Sequence, residues 1–168
     1  MAIIVQKFGG TSVGNPDKIK AVAQRVLGSH KQGNKMVVVL SAMSGETNRL
    51  IELAHAVQQV PDLREMDMLV STGEQITVSL FAMAVKEAGC DAVSLLGDQV
   101  SIRTSNMHTK ARIKDVATRR INKHLDNDKN VVISEYKVAT EQGKITTLGR
   151  GGSDTNESAL VGRPTADR

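Results

Sequence analysis

Apolar residues fall into short continuous runs, separated by longer stretches where they recur every three or four positions. Met1 to Phe8 is the first run and Lys35-Met-Val-Val-Val-Leu-Ser41 the second. Ala92 to Leu96 and Asn130 to Ser134 are the third and fourth. Runs with so little alternation suit strands covered on both faces. Between the first two, Ile19, Val22, Ala23, Val26 and Leu27 recur at helical spacing. Asn15-Pro16-Asp17 precedes them and marks a helix start: a capping side chain, a proline suited to the first turn, and an acid near the positive helix end. Gly28 to Gly33 ends that helix. Gly45 to Gln59 reads as a second helix with Leu50, Ile51, Leu53, Ala54 and Val57 inward. Asp62 to Ala88 reads as helical in two pieces, broken near Ser71-Thr72-Gly73 and closed by Gly89. Ile113 to Leu125 reads as a further helix. Glu141 to Lys144 reads as a turn before a strand from Ile145 to Leu148.

Strands alternating with helices from end to end predict an α/β fold, a three-layer αβα sandwich around a mainly parallel sheet. Such sheets bind ligands in the crevice beyond the carboxyl ends of their strands. Three polar, glycine-bearing stretches are placed at such ends: Lys7 to Ser12, Ser41 to Thr47, and Leu148 to Thr155. The alternation predicts that they converge.

Composition narrows the partners. The chain has 168 residues, 40% hydrophobic and 24% charged, an ordinary globular balance. It holds no unbroken apolar run of about eighteen residues, the span expected of a membrane helix. The amino terminus has no basic region before its apolar stretch, as a signal peptide would. One cysteine, Cys90, excludes an internal disulfide and fits a reducing, cytoplasmic setting. The formal charge of +4 raises nucleic acid as a partner, but the aromatics are only Phe8, Phe81 and Tyr136, too few for a base-stacking platform. Arg119, Arg120, Lys123 and His124 read as a solvated helix face. His108 stands alone in a loop with no metal partner nearby.

The first loop carries anion chemistry. Gly9 to Gly14 has glycines at P-loop spacing, but Asn15-Pro16 stands where a P-loop needs Lys and Ser/Thr. Gly9 and Gly10 still let backbone N–H groups approach an anion, a helix start lies beyond, and Lys7 adds a fixed positive charge. A plain strand-to-helix turn explains the stretch equally well. In the third loop, Gly149, Gly151 and Gly152 surround Arg150, whose fork suits a carboxylate. The plainer account there is a turn with Asp154 capping a helix.

Four stretches together resemble the aspartate kinases of the amino-acid kinase family: Lys7-Phe-Gly-Gly-Thr-Ser-Val13, Ser41-Ala-Met-Ser-Gly45, Leu69-Val-Ser-Thr-Gly-Glu74 and Thr146-Thr-Leu-Gly-Arg-Gly-Gly-Ser-Asp-Thr155. The resemblance implies phosphorylation of the L-aspartate side chain by ATP with Mg2+, the entry step to lysine, threonine and methionine. It implies Lys7 at the transferring phosphoryl group, with Phe8, Gly9, Gly10 and Ser41 at the nucleotide. It places Thr47 and Glu74 on the substrate side, Glu74 at the amino group. Arg150 would take the α-carboxylate, with Gly151, Gly152 and Ser153 beside it. Asp154 would orient lysine or substrate.

Two stretches depart from the family. Glu135-Tyr136-Lys137-Val138 replaces a Gly-Phe-Gln-Gly-like stretch, and Gly162 and Pro164 would shorten the helix after Thr155. Residues 1–168 therefore read as one partial amino-acid kinase domain, incomplete at its carboxyl side, with no regulatory domain and most of the adenine and magnesium contacts missing. Two readings stay open: an aspartate kinase, or an inactive relative keeping an aspartate- or phosphate-binding half-site. An exposed sheet edge predicts association, as a homo-oligomer or with a full-length relative.

Overall fold

The structure is a computed structural model that describes residues 2–97, 99–100, 102–104, 113–116, 118–135, 137–140 and 145–147. Strand β1 (Ile3–Phe8) leads through helix α1 (Pro16–Lys31) to β2 (Lys35–Leu40). Helices α2 (Glu46–Val57) and α3 (Leu63–Glu87) follow, then β3 (Ala92–Leu95). After β4 (Ile102–Thr104) and β5 (Ile113–Val116) come α4 (Arg119–Asp126) and β6 (Asn130–Ser134). Strands β7 (Lys137–Thr140) and β8 (Ile145–Thr147) complete the order.

Four strands form a parallel sheet in the order β1-β2-β6-β3. The chain steps outward from β1 to β3, leaves a gap, and returns to fill it with β6. Right-handed crossovers then put the outward-step helices on one face and the return helix on the other. The buried clusters match this. Met36, Val38, Leu40 and Val132 pack with α1 and α3, including Phe81, Val26 and Leu27. Val37, Val131 and Ile133 pack with Ile121 and Leu125 of α4. The expected three-layer α/β arrangement is thus present, with alternate residues of β2 and β6 serving opposite cores.

Helix α1 begins as its sequence dictates. The Asn15 side chain accepts a hydrogen bond from the Lys18 N–H at 2.9 Å, and Pro16 occupies the first turn. It runs through Gly28 to Lys31, slightly further than expected.

Three expectations need correction. Helix α3 is continuous across Ser71-Thr72-Gly73. The Ser71 and Thr72 hydroxyls donate back to the carbonyls of Met68 and Leu69 at 2.8 and 2.7 Å, so they bond within the helix. Ile113 to Val116 is a strand, antiparallel to β4, and only Arg119 to Asp126 is helical. Ile113 and Val116 are β-branched, a type that suits a paired strand. Residues 145–147 pair antiparallel with β7 in a second sheet, ordered β5-β4-β7-β8, and do not join the parallel one.

Helix α2 buries less than its periodicity implies. Leu50 is buried, but Leu53 is 48% and Val57 89% exposed, because the helix lies at the rim and packs chiefly on α3. Helix α3 has the length and hydropathy of a membrane span. It holds the place of a core helix, with Val78, Phe81, Ala82 and Val85 buried in the cluster it shares with the sheet.

Candidate functional site

The carboxyl ends of β1, β2 and β6 are adjacent, and three polar side chains meet there. Register explains why. Phe8, Leu40 and Ser134 lie in one row across the sheet. The pairing continues one residue further: the Ser41 N–H donates to the Phe8 carbonyl at 3.3 Å, and the Glu135 N–H to the Leu40 carbonyl at 3.1 Å. Ser41 and Glu135 therefore stand side by side on the next row. Lys7 lies two residues after Val5, and Glu135 two after Ile133, both of which serve the α4-side core. The period of two turns Lys7, Ser41 and Glu135 to that same face.

Their contacts are direct. Lys7 Nζ lies 2.9 Å from Glu135 Oε1, and Ser41 Oγ donates to Glu135 Oε2. The Glu135 side chain is 1% exposed and that of Lys7 23%. A buried carboxylate next to an ammonium and a hydroxyl gives each charge its counterpart, as burial requires.

The first loop is anchored around this point. Val13 is buried in the larger core, the Ser12 N–H donates to the Gly9 carbonyl at 2.9 Å, and the Ser44 N–H donates to the Gly10 carbonyl at 3.1 Å. Lys18 Nζ reaches back from α1 to the Thr11 carbonyl at 3.1 Å. Gly10 is pressed against the second loop: a Cβ there would stand 2.5 Å from the Ala42 carbonyl oxygen. Gly9 is exposed, and the place of its absent Cβ has nothing within 4 Å. The backbone at Gly9 is thus open on that side.

The second and third motifs meet through packing. Gly73 brings α3 within 3.2 Å of the Ala42 Cβ and 3.3 Å of the Glu46 Cγ, measured from the Cβ it lacks. Glu74, the next residue, is buried, and Asp67 and Ser71 are buried on the same helix. Thr47 is half-buried on the first turn of α2. Beside it Glu46 accepts from Arg49 Nε at 3.0 Å and from the Arg49 amino group at 2.7 Å. The Arg49 hydrogen bond, more than its charge, holds the Glu46 carboxyl below the usual range.

Lys7, Gly9, Gly10 and Ser41 are therefore brought together, with Phe8 half-buried against the larger core. Thr47 and Glu74 flank the second loop through α2 and α3. Arg150, Gly151, Gly152, Ser153 and Asp154 lie outside the described residues, as do His108, the turn at Glu141 to Lys144, Gly162 and Pro164. Sequence reasoning noted Glu135 as a departure but missed it as the partner of Lys7. The sequence placed it one residue beyond a buried strand; that this strand lies beside β2, in the register that turns Glu135 toward Lys7, appears only in the structure. Among the described residues, no group of three or more His, Cys, Asp or Glu side chains is arranged to hold a metal ion. The basic residues of α4 flank its buried Ile121 and Leu125, with Arg119, Arg120 and Lys123 exposed.

Comparison with known proteins agrees with the fold. The model of the amino acid kinase family matches residues 2–161. An aspartate kinase of Stutzerimonas stutzeri is 51% identical over 167 residues, covering 99% of this chain and 40% of that protein. The aspartate kinase of Synechocystis superposes with a TM-score of 0.78 at 43% identity, over 96% of this chain and 26% of that one. Aspartokinase III of E. coli, solved with aspartate and ADP, superposes with a TM-score of 0.79 at 25% identity, over 90% of this chain and 44% of that one. The chain spans about 40% of the length of the curated relatives it matches.

Proposed function

The chain belongs to the amino acid kinase family, and from that premise we propose that it carries the lysine-bearing part of an aspartate kinase site, converting ATP and L-aspartate to 4-phospho-L-aspartate and ADP. This is the entry step to lysine, threonine and methionine biosynthesis. The observation that carries the reading is the meeting of Lys7 and Ser41 at the sheet's carboxyl edge, in a chain about half identical to a named aspartate kinase.

The acceptor carboxylate is already a nucleophile near neutral pH, so the protein's work is positioning and charge neutralisation. Bound ATP supplies the phosphoryl group. Lys7 neutralises charge on that group from a rigid strand, and the open backbone at Gly9 and Gly10 admits phosphate oxygens. Phe8 and Ser41 border the nucleotide. Thr47 and Glu74 face the substrate, Glu74 taking the amino group, while Arg150, Gly151, Gly152, Ser153 and Asp154 complete the aspartate side. Mg2+ is the expected companion of ATP. The described residues supply no ligand set for it, and no step here runs through the metal. The chain works in the cytoplasm, as a homo-oligomer or beside a full-length relative.

A second reading keeps binding without turnover, and the Glu135 carboxylate on Lys7 favours it. Aspartyl phosphate trapped as the hydroxamate separates the two, with Lys7→Ala as control. We expect ATP binding that Lys7→Ala abolishes, and turnover by the chain alone well below about 1 s⁻¹, the low end for kinases. Faster turnover, lost in Lys7→Ala, removes the second reading. No binding of ATP or aspartate at about 1 mM, the weak end of specific affinity, refutes both.

A further inference from the structure

Glu135 engages the two groups that the proposed nucleotide site needs. One carboxylate oxygen lies on Lys7 Nζ at 2.9 Å and the other accepts from Ser41 Oγ. A phosphate presents the same chemistry: paired anionic oxygens able to take an ammonium and a hydroxyl together. From this we infer that Glu135 is a tethered anion seated in the Lys7–Ser41 anion site, which a phosphate-bearing ligand enters only by displacing the carboxylate. The inference rests on the reading that Lys7 and Ser41 face phosphate.

The attachment points favour occupation over accident. Backbone hydrogen bonds from Glu135 to Leu40 and from Ser41 to Phe8 continue the parallel pairing past both strand ends. The two side chains therefore hang from one rigid edge, which fixes the carboxylate against Lys7 and Ser41. Burial is uneven: the Glu135 side chain is nearly closed from solvent, whereas Lys7 keeps an accessible flank, and Gly9, two residues further on, is exposed. A ligand can thus reach Lys7 while Glu135 still holds it. Such a ligand meets an ammonium whose charge is already cancelled, with a like charge immediately behind.

A buried lysine–glutamate pair has an opposite use, in which glutamate aims the lysine and is needed for binding. The two roles predict opposite signs. Inorganic tripolyphosphate and ATP, titrated calorimetrically into the full chain, read the sign directly. Glu135→Gln keeps the shape and an acceptor for Ser41 but removes the charge, and Glu135→Ala empties the position. Both should bind tripolyphosphate more tightly by on the order of tenfold or more, a gain lost when Lys7→Ala is added. Unchanged or weaker binding in both folded variants overturns the inference, as does tripolyphosphate binding by no form of the protein.

A second measurement needs no variant. Saturating tripolyphosphate should shift the side-chain carboxyl carbon signal of Glu135 in the unmodified chain, and a signal that stays in place overturns the inference. Failure of the kinase reading looks different. Tighter tripolyphosphate binding in Glu135→Gln, with no aspartate binding and no hydroxamate, removes the kinase and leaves the tethered anion. ATP and aspartate binding indifferent to Glu135 does the reverse.

Discussion

Gly10 and Ala42 stand so close that no side chain fits between them: a Cβ on Gly10 would lie 2.5 Å from the Ala42 carbonyl oxygen. The contact locks the loop after β1 to the loop after β2, and the Ser44 N–H bond to the Gly10 carbonyl reinforces it. Gly10→Ala must push the loops apart against backbone, which cannot rotate away. We expect a loss of about 1–3 kcal/mol, the usual cost of overpacking, together with weakened ATP binding. Urea unfolding and ATP titration check the two effects, and a variant of undiminished stability would show that the loops are not locked here.

Gly73 does a related job between helices. A Cβ there would meet Ala42, Glu46 and Leu50 at 3.2 to 3.4 Å. Ala at this position adds helix propensity of about 1 kcal/mol while tightening contacts, so the two effects nearly cancel. Leu overfills the gap. Gly73→Leu should lose about 1–3 kcal/mol and move the Thr47 amide signal, whereas Gly73→Ala should stay within about 1 kcal/mol of the parent. Equal stability for all three chains would refute the close packing.

The Asn15 cap gives a cleaner measurement, away from the proposed chemistry. Its side chain satisfies the Lys18 N–H. Asn15→Ala should cost about 1 kcal/mol and Asn15→Asp almost nothing. Thermal unfolding of the three chains decides it.

His124 sets a pH dependence of defined sign. Burial first, then the charges of Arg120, Lys129 and Lys123, hold its imidazolium below the ordinary pKa. The unfolded chain then binds the proton more readily, so stability rises with pH across the window between the two pKa values. This contribution is complete above the unfolded pKa of about 6.5 and is lost as pH falls toward the lowered folded one. In His124→Gln the stability should fall less steeply between about pH 7 and pH 5. Parallel curves for the two chains would remove the assignment.

Much of this was legible in the sequence, for reasons that can be named. The inner strands β2 and β6 are apolar because both faces are covered, whereas edge strand β1, also read as buried, has no buried residue and leaves Ile3 57% exposed. Asn15-Pro16 states its role locally, as caps do. What escaped depended on hydrogen bonds and packing partners that a local pattern does not show. Ser71-Thr72-Gly73 looks like a break when read locally, yet its hydroxyls bond within the helix and its glycine serves contact with α2. Ile113 to Val116 became a strand because β4 lies beside it. Leu53 and Val57 show helical periodicity but lie at the rim of the layer. At the site, Lys7 announced itself by its glycines. Glu135 did not, because its meaning comes from the register of β6 on β2.

The position of β6 also governs when the molecule can exist. It lies between β2 and β3 but is the last of the four to leave the ribosome. Until residue 134 is available, β3 has no neighbour among the described strands of the sheet, and β2 presents a bare apolar edge. The core shared with α4 has no floor before then. Pairings this distant in sequence are slow to form, and an uncovered edge invites other chains. A nascent chain stopped anywhere before β6 is therefore a client for chaperones, and the same five residues that close the sheet deliver Glu135 to Lys7. Maturation of the sheet and arrival of the counter-ion are one event.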